Sequence, residues 1–482
     1  MKSIYNVRKF WVILSVTMLA IGITGCKKWV EAPSPITSLN GENVFATDPT
    51  AIAAMTGIYV SMSEGSLEGP TSLSNTMSLY PGLSADELTL IDGLSMNYES
   101  FYKNKLTDQT SINPWRDAYS RIYICNAVIE GVGTSQTLTR AVAEQLMGEA
   151  KFMRAFYYFY LVNLYGDVSL ALSTDYKVNR ALGRSSQVEV YQQIVRDLLD
   201  AQGLLNRDFI DGSLLKKSVD RVRPTYWSAT ALLARVYLYT KDYANADLQA
   251  TKVLEQTSLF SLGTINTAFL RASTLNKEAI WQLQPVNEGL NTEDARTFII
   301  PSSGFSDINP VHLSTGLFAT FESGDQRKSN WIGSVNLGGT TYYFPYKYKI
   351  NTYYAPVTEF HTVFRLAELY LIRAEARANG AGTGFLGGKQ DLDAVRGRAG
   401  LLGTPATTAD ELLTAIKKER RTEFFAEWGH RWLDLKRWGD INAVMATIAP
   451  LKNTTWNPNY QFWPLPLTDL QRNPNLVQNK DY

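Results

Sequence analysis

Residues 224–256, PTYWSATALLARVYLYTKDYANADLQATKVLEQ, carry the reading that decides the fold. Pro224 opens a helical stretch that runs through Tyr239, since proline is tolerated in a first turn and nowhere later. Lys241-Asp242 turns the chain, and Tyr243 to Glu255 reads helical again. Small Ala residues let the two helices approach, while Tyr rings fill the space between neighbours.

Within this stretch Leu233, Ala234, Tyr237, Tyr243 and Ala246 fall on the offsets of a tetratricopeptide helical hairpin. One such hairpin cannot bury its own apolar face, so three or more stacked units are implied. Residues 141–165 and 364–378 share the Ala/Tyr-rich texture. The expected fold is mainly α: a tetratricopeptide-like helical-repeat scaffold.

Working outward, three stretches show apolar residues at three- to four-residue steps. Val142, Leu146, Met153, Tyr157, Leu161 and Leu164 line one face of 141–165, with Gly166 as C-cap. Val363, Leu366, Tyr370, Leu371 and Ala374 predict a helix over 361–379, ended by Gly380. Thr408 and Glu411 form a capping-box pattern ahead of Leu412, Leu413, Ile416 and Phe424, predicting a helix over 408–428. Residues 257–360 stand apart as a loop-rich, partly β insertion. Pro285, Asn287, Gly289, Asn291, Pro301 and Gly304 are turn chemistry, and Gly338-Gly339 between β-prone runs predicts a hairpin. The ending from Phe462 to Leu476 is extended and braced by proline.

The N-terminus reads as an export signal: Lys2, Arg8 and Lys9 precede an apolar run from Phe10 to Ala20. It is too short for a membrane span. Ile23-Thr24-Gly25-Cys26 resembles a bacterial lipobox, which implies cleavage before Cys26 and an acyl anchor on its sulfur. The expected organisation is signal peptide 1–25, lipidated tether 26–48 and one ligand-binding domain over 49–482. With Cys26 acylated, Cys125 has no partner; it sits among Ile122, Ile124 and Val128 and reads as a small buried hydrophobe.

The 47 Lys and Arg balance 46 Asp and Glu, so no global field favours nucleic acid or anionic lipid. His312, His361 and His430 lack metal-ligand spacing, and no nucleophile elbow, phosphate loop or dinucleotide fingerprint occurs. The reading enters no cofactor, no metal and no catalytic residue. Its one tempting acid/base pair is Glu423/Glu427, on a charged helix spanning 417–437. Arg420, Arg421, Arg431, Lys436 and Arg437 crowd that pair, and their charge disfavours a protonated general acid. An ion-pair network is the better reading.

Aromatic residues are abundant: 26 Tyr, 20 Phe and 11 Trp. Such rings stack on sugars as well as filling cores. The candidate ligand-binding residues lie in the irregular segments: Asn97, Tyr98 and Phe101; Arg296, Phe298 and Phe305; Asn330, Trp331 and Tyr343. Trp331, beside Asn330 and Gly333, is the leading one.

The chain resembles the SusD/RagB lipoproteins of Bacteroidetes over essentially its whole mature length. Gly148 to Phe159 through Leu164-Tyr165-Gly166-Asp167-Val168 is similar to the family's central signature. Trp115, Tyr119, Ile122 and Asn126 match an upstream helix, and Gly324 to Arg327 and Lys347-Tyr348 match two short motifs. Phe364 to Ala376, Glu419 to Gly439, and Phe462 to Pro466 with Asn473 to Leu476 complete the set in the family's order. The resemblance implies a non-enzymatic lipoprotein of the cell outer membrane, facing the cell surface. It would bind nutrient oligomers, foremost oligosaccharides, and deliver them to a SusC-like TonB-dependent transporter. A RagB-like peptide-capture role is the alternative, and a secreted glycoside hydrolase using Glu423/Glu427 the remoter one. Lys27-Lys28 depart from the acidic residues that usually follow the lipidated cysteine of surface-exported members.

Overall fold

The protein is described by a computed structural model that covers residues 41–65, 72–94, 96–110, 114–272 and 276–482. The signal segment, Cys26 and the tether up to residue 40 lie outside the described residues. Phe45–Tyr482 is one compact unit. Its first anchor is Phe45, whose ring lies where a Cβ on Gly131 would stand.

The unit opens with α1 (Asp48–Ser63) and α2 (Leu73–Ser84), then β1 (Leu88–Leu90) and α3 (Met96–Tyr102). The repeat scaffold follows as α4 (Pro114–Thr134), α5 (Arg140–Tyr165), α6 (Gln187–Leu204), α7 (Tyr226–Tyr239) and α8 (Tyr243–Leu254). The chain then passes through β2 (Ala279–Leu283), β3 (Val311–Leu313), β4 (Ile332–Leu337), β5 (Thr340–Pro345) and β6 (His361–Arg365). It returns to helix as α9 (Leu366–Ala378), α10 (Gly384–Arg398), α11 (Ala409–Glu423), α12 (His430–Trp438) and α13 (Ile441–Ile448).

Helices pack against neighbours in chain order, α4 on α5, α5 on α6, α6 on α7 and α7 on α8, then α8 on α9 and α9 on α10. Each apolar stripe is thus covered by the next pair, as a helical repeat requires. The α7–α8 hairpin turns at Lys241, whose φ is +60°, and Asp242 caps α8 by accepting from the Asn245 amide. α5 ends at Gly166 with φ +78°. The Thr408–Glu411 capping box forms at the start of α11.

Two elements depart from the sequence reading. Residues 361–365 are strand β6, and α9 begins only at Leu366. All five residues of β6 are buried, as are all five of its antiparallel partner β2. A strand buried on both faces shows no alternation, so the apolar spacing passed for helix. The predicted helix 408–428, with its charged extension to 437, is two helices. It breaks over Phe424–Gly429, where Ala426, Trp428 and Gly429 take φ of +51°, +46° and +72°. The break drives Trp428 inward, its Nε1 donating to the Thr362 carbonyl at 2.9 Å.

Much of the aromatic surplus meets here. Phe156 of α5 makes edge contacts with Trp281 of β2 at 5.7 Å, Phe364 of β6 at 6.3 Å and Trp428 at 5.7 Å. Cys125 is buried, and desolvation pushes its thiol up. The proline-braced ending is pinned to the end of α5, with the Trp463 amide donating to the Leu164 carbonyl at 2.8 Å.

Candidate ligand-binding site

The insertion starts and ends on the scaffold through the β2–β6 pair, and its loops gather around two further two-stranded sheets. β1 pairs antiparallel with β3, Thr89 opposite His312. β4 and β5 form the predicted hairpin, with Gly338 and Gly339 at φ +58° and +86°. Two successive positive φ values match the twist of the strands and need residues without a Cβ.

Successive strand residues face opposite ways, so Tyr342 and Tyr343 build two aromatic nodes. On one face Tyr342 meets Phe305 edge-on at 4.9 Å and His312 at 5.2 Å. On the other, Tyr343 stacks on Phe318 at 4.0 Å and 22°, with Lys328 Nζ 4.1 Å from the Phe318 ring centre. Tyr343 is 36% exposed. The end of β1 also borders a 290 Å³ cleft lined by Asp92, Glu99, Tyr102 and Lys103. Ring faces beside carboxylate and ammonium groups are what sugar rings and their hydroxyls require.

The sequence-derived candidates divide sharply. Phe305, Tyr343, Asn97 and Asn330 keep exposed surface. Trp331 is fully buried, which corrects its choice as the leading ligand platform. Its Nε1 donates to the Ile265 carbonyl at 2.9 Å, and its ring covers cations, with Lys347 Nζ at 5.0 Å and the Arg398 guanidinium at 5.4 Å from its centre. The polar neighbourhood that suggested solvent is a buried charge cluster.

Tyr98 and Phe101 are corrected likewise. Tyr98 donates to the Asp307 carbonyl at 2.5 Å and ties α3 to the 305–309 loop, while Phe101 packs on Tyr80 of α2 at 4.4 Å and on Trp463 at 4.9 Å, so neither faces solvent. Desolvation pushes the Tyr98 phenol up to about 12. Arg296 and Phe298 sit in a short helix, Glu293–Phe298, whose six residues are all buried. Arg296 pairs with Glu293 at 3.0 Å. Asn309 donates to the carbonyls of Arg296, Thr297 and Ile299 and holds this helix to its loop.

His312 and Phe318 were missed. Exposed Tyr353 and Tyr354 were missed too, although an adjacent aromatic pair between Asn351 and Pro356 is itself a loop signal. Tyr354 is 76% exposed at φ +61°.

The Glu423/Glu427 pair lies in a buried network. Arg327, Arg365, Arg396, Arg398 and Lys347 face Glu278, Asp325, Glu419, Glu423 and Glu427. Glu423 accepts from Arg365, Arg398 and, at 2.8 Å, Arg327. Burial by itself would raise the Glu423 carboxyl, but Arg398, Arg365 and Arg327 outweigh it and hold the group well below the usual range. Glu427 is also lowered, the cations Arg365 and Lys347 overcoming its burial. A general acid needs the opposite shift, so this pair cannot serve as one. An ion-pair network is present, but the five cations read from the sequence do not face this pair, because Glu427 lies beyond the end of α11 and the chain turns there. Arg420 bonds Asp434, Arg421 and Arg431 bond Asp86, Arg437 bonds Glu375 and Asp434, and Lys436 donates to the Asn163 carbonyl.

Two of the three histidines, His361 and His430, are structural. His361 stacks on Tyr348 at 5.4 Å, and His430 is tilted over Phe424 at 4.7 Å. Among the described residues no three His, Cys, Asp or Glu gather as a metal site, and no helix is long and apolar enough to cross a membrane.

A tetratricopeptide-like scaffold that roots one loop-and-hairpin insertion on a buried sheet pair defines the structural class. Two family profiles match in succession: one described as starch-binding and associating with the outer membrane, over residues 40–238, and the SusD family over 315–482. The chain belongs to the SusD/RagB family. A SusD-like protein of Formosa agariphila is 23% identical, over 97% of this chain and 98% of its own. The crystal structure of a SusD superfamily protein from Parabacteroides distasonis superposes with a TM-score of 0.76 at 23% identity, covering 90% of this chain and 99% of that one. A laminarin-binding SusD-like protein gives 0.72 at 23% identity, with the same coverage.

Proposed function

We propose that this protein is an outer-membrane lipoprotein, anchored through Cys26, that captures oligosaccharides and hands them to a SusC-like TonB-dependent transporter. It performs no chemistry on them. The observation that carries the reading is the glycine-turned hairpin, which sets Tyr342 with Phe305 on one face and Tyr343 with Phe318 on the other. Tyr342 also meets His312, which lies opposite Thr89 at the edge of the cleft of Asp92, Glu99 and Lys103. A laminarin-binding neighbour and a starch-binding family profile support the ligand class. The outer-membrane description of that profile supports the location.

An array of α- and β-linked oligosaccharides, followed by calorimetric titration, tests the ligand. Tyr342→Ala combined with Tyr343→Ala is expected to weaken binding about tenfold or more, a loss of about 1.4 kcal/mol or more. Unchanged affinity refutes the hairpin site, and a silent array refutes glycan capture. Mass spectrometry of the N-terminal peptide tests the anchor, which fails if Cys26 carries no acyl chain. Detergent extraction without a co-purifying barrel protein removes the transporter assignment.

A further inference from the structure

Far along the chain from the hairpin, a groove of 290 Å³ opens between α4, the segment 169–182 and the C-terminal residues 469–476. Trp115, Tyr119 and Tyr123 of α4 line it. They stand at i, i+4 and i+8, so they form one stripe rising about 5.4 Å per turn. Trp115 is buried as the floor, Tyr119 is half-buried and Tyr123 is 53% exposed.

The walls are held in place without any ligand. Asn126 donates to the carbonyls of Ala171 and Ser173, Tyr119 donates to the Ser169 carbonyl at 2.8 Å, and Glu130 accepts from the Thr174 amide at 2.8 Å. On the far side Asn473 donates to the Leu182 carbonyl at 2.8 Å. Two polar atoms at this groove are nevertheless shielded from solvent and unpartnered: Ser169 Oγ and Asn179 Oδ1. Ser169 is 8% exposed. Asn179 Nδ2 donates to the Ser173 carbonyl at 2.8 Å, which orients the amide and leaves its oxygen as the open end.

Unsatisfied buried polar atoms disfavour the empty state, because each lacks the hydrogen bond that water supplied before folding. A concave, aromatic-lined space with a few convergent polar groups is the form of a small-molecule site. Here a hydroxyl and an amide oxygen can meet hydroxyl groups, and flat rings can meet the apolar face of a pyranose. Asp469 and Arg472 at the edge add one acceptor and one donor set. The volume suits one or two sugar rings.

We propose that this groove is a second, separate saccharide-binding site, in which Tyr119 and Tyr123 stack a sugar ring while Ser169 and Asn179 take its hydroxyls. It is independent of the hairpin, sharing none of its residues. It would let the protein hold two points of one long glycan, or two chains at once.

Ser169→Ala and Tyr123→Ala test the proposal on the full chain. Removing the buried Ser169 hydroxyl orphans no backbone group and Tyr123 is largely exposed, so Ser169→Ala melts at or above wild type and Tyr123→Ala keeps the wild-type melting temperature. The probe is an array of glucan, xylan, pectic and sulfated algal oligosaccharides, read for wild type, for both variants and for the Tyr342→Ala/Tyr343→Ala protein. At least one glycan is expected to stay bound by the hairpin double variant. Its affinity should fall about three- to tenfold with Ser169→Ala, the loss of one neutral hydrogen bond, and about tenfold with Tyr123→Ala. If the hairpin variant loses every glycan, or neither groove variant alters any, the second site does not exist and the hairpin site stands. An array silent for wild type removes both sites.

Discussion

Replacing Glu423 by Gln should destabilise the protein severely while leaving its shape intact. The amide keeps the side-chain volume, so no cavity forms. What goes is one negative charge from a buried group in which five cations face five carboxylates, and Glu423 accepts from three of those cations. Its side chain is fully buried, and those of Arg327, Arg365 and Arg398 are 1%, 2% and 5% exposed, so water cannot screen the unpaired charge that remains. Breaking a buried pair by removing one partner costs about 3–5 kcal/mol. At about 2.1 cal/mol/K of unfolding entropy per residue, a unit of roughly 440 residues loses about 1 °C per kcal/mol, so the melting temperature should fall about 3–5 °C.

The pH dependence adds a second arm. The native Glu423 carboxyl is held below its unfolded value of 4.5, so its contribution is fully present above pH 4.5 and is lost as pH falls through the native value. The gap between wild type and variant should therefore be constant from pH 6 to 8 and narrow in strong acid. Calorimetric melts at pH 3, 6 and 8 read both arms. A variant melting within 1 °C of wild type at pH 7 refutes the reasoning, because the network would then be solvated or redundant.

Three further outcomes follow from buried groups. Trp331→Ala should cost about 3–5 kcal/mol and leave glycan affinity unchanged at temperatures where the variant is folded; a selective loss of affinity by titration would return Trp331 to the binding surface. Asp294 is raised to about 7, chiefly by desolvation, so between pH 3.8 and about 7 the native state holds a proton that the unfolded chain releases, and stability falls as pH rises through that window. Asp294→Asn removes this term, so its melting temperature should improve relative to wild type from pH 5 to pH 8; a constant difference contradicts the assignment. Lys347→Met should speed hydrogen exchange across β4 and β5 without changing it in α4 and α5, read by mass spectrometry; uniform acceleration would mean that Lys347 supports the whole fold rather than the hairpin.

The scaffold was legible because its helices bury one stripe each, and a stripe leaves a period. The α7–α8 hairpin, α5 with its Gly166 cap and the Thr408 capping box all follow from spacing within a dozen residues. β6 was not legible, since full burial on both faces erases alternation and Val363, Leu366 and Tyr370 happen to fall at helical steps. The break at Phe424–Gly429 escaped notice because it is set by contacts distant in sequence: a Cβ on Gly429 would stand 3.0 Å from the Pro81 side chain, and Glu427 turns to meet Arg365. The site was half legible. Turn residues located the hairpin and its tyrosines, but ring exposure is decided by partners far along the chain. Asn330 and Gly333 beside Trp331 suggest solvent, whereas the polar groups its ring covers, Arg365, Arg398 and Lys347, come from elsewhere in the chain.

These distant cations show how the scaffold serves the insertion. Arg327 stands just before β4 and bonds Glu419 at 2.6 Å, while Lys347 stands just after β5 and bonds Glu427. Both feet of the aromatic hairpin are thus tied by buried charge to α11 and the bend that follows it, and Trp331 seals the joint. A buried network of this kind is a poor source of net stability compared with apolar packing. It does fix direction, because a charged pair tolerates few geometries. A hairpin rooted in this way loses little conformational freedom when a ligand arrives, and preorganisation of that sort strengthens binding without any added contact. The α4–α8 stack has buried pairs of its own, Arg154–Asp197 across α5 and α6 and Arg235–Glu368 from α7 to α9, but these are separate pairs, whereas the charges beneath the hairpin form one connected group that holds both of its feet.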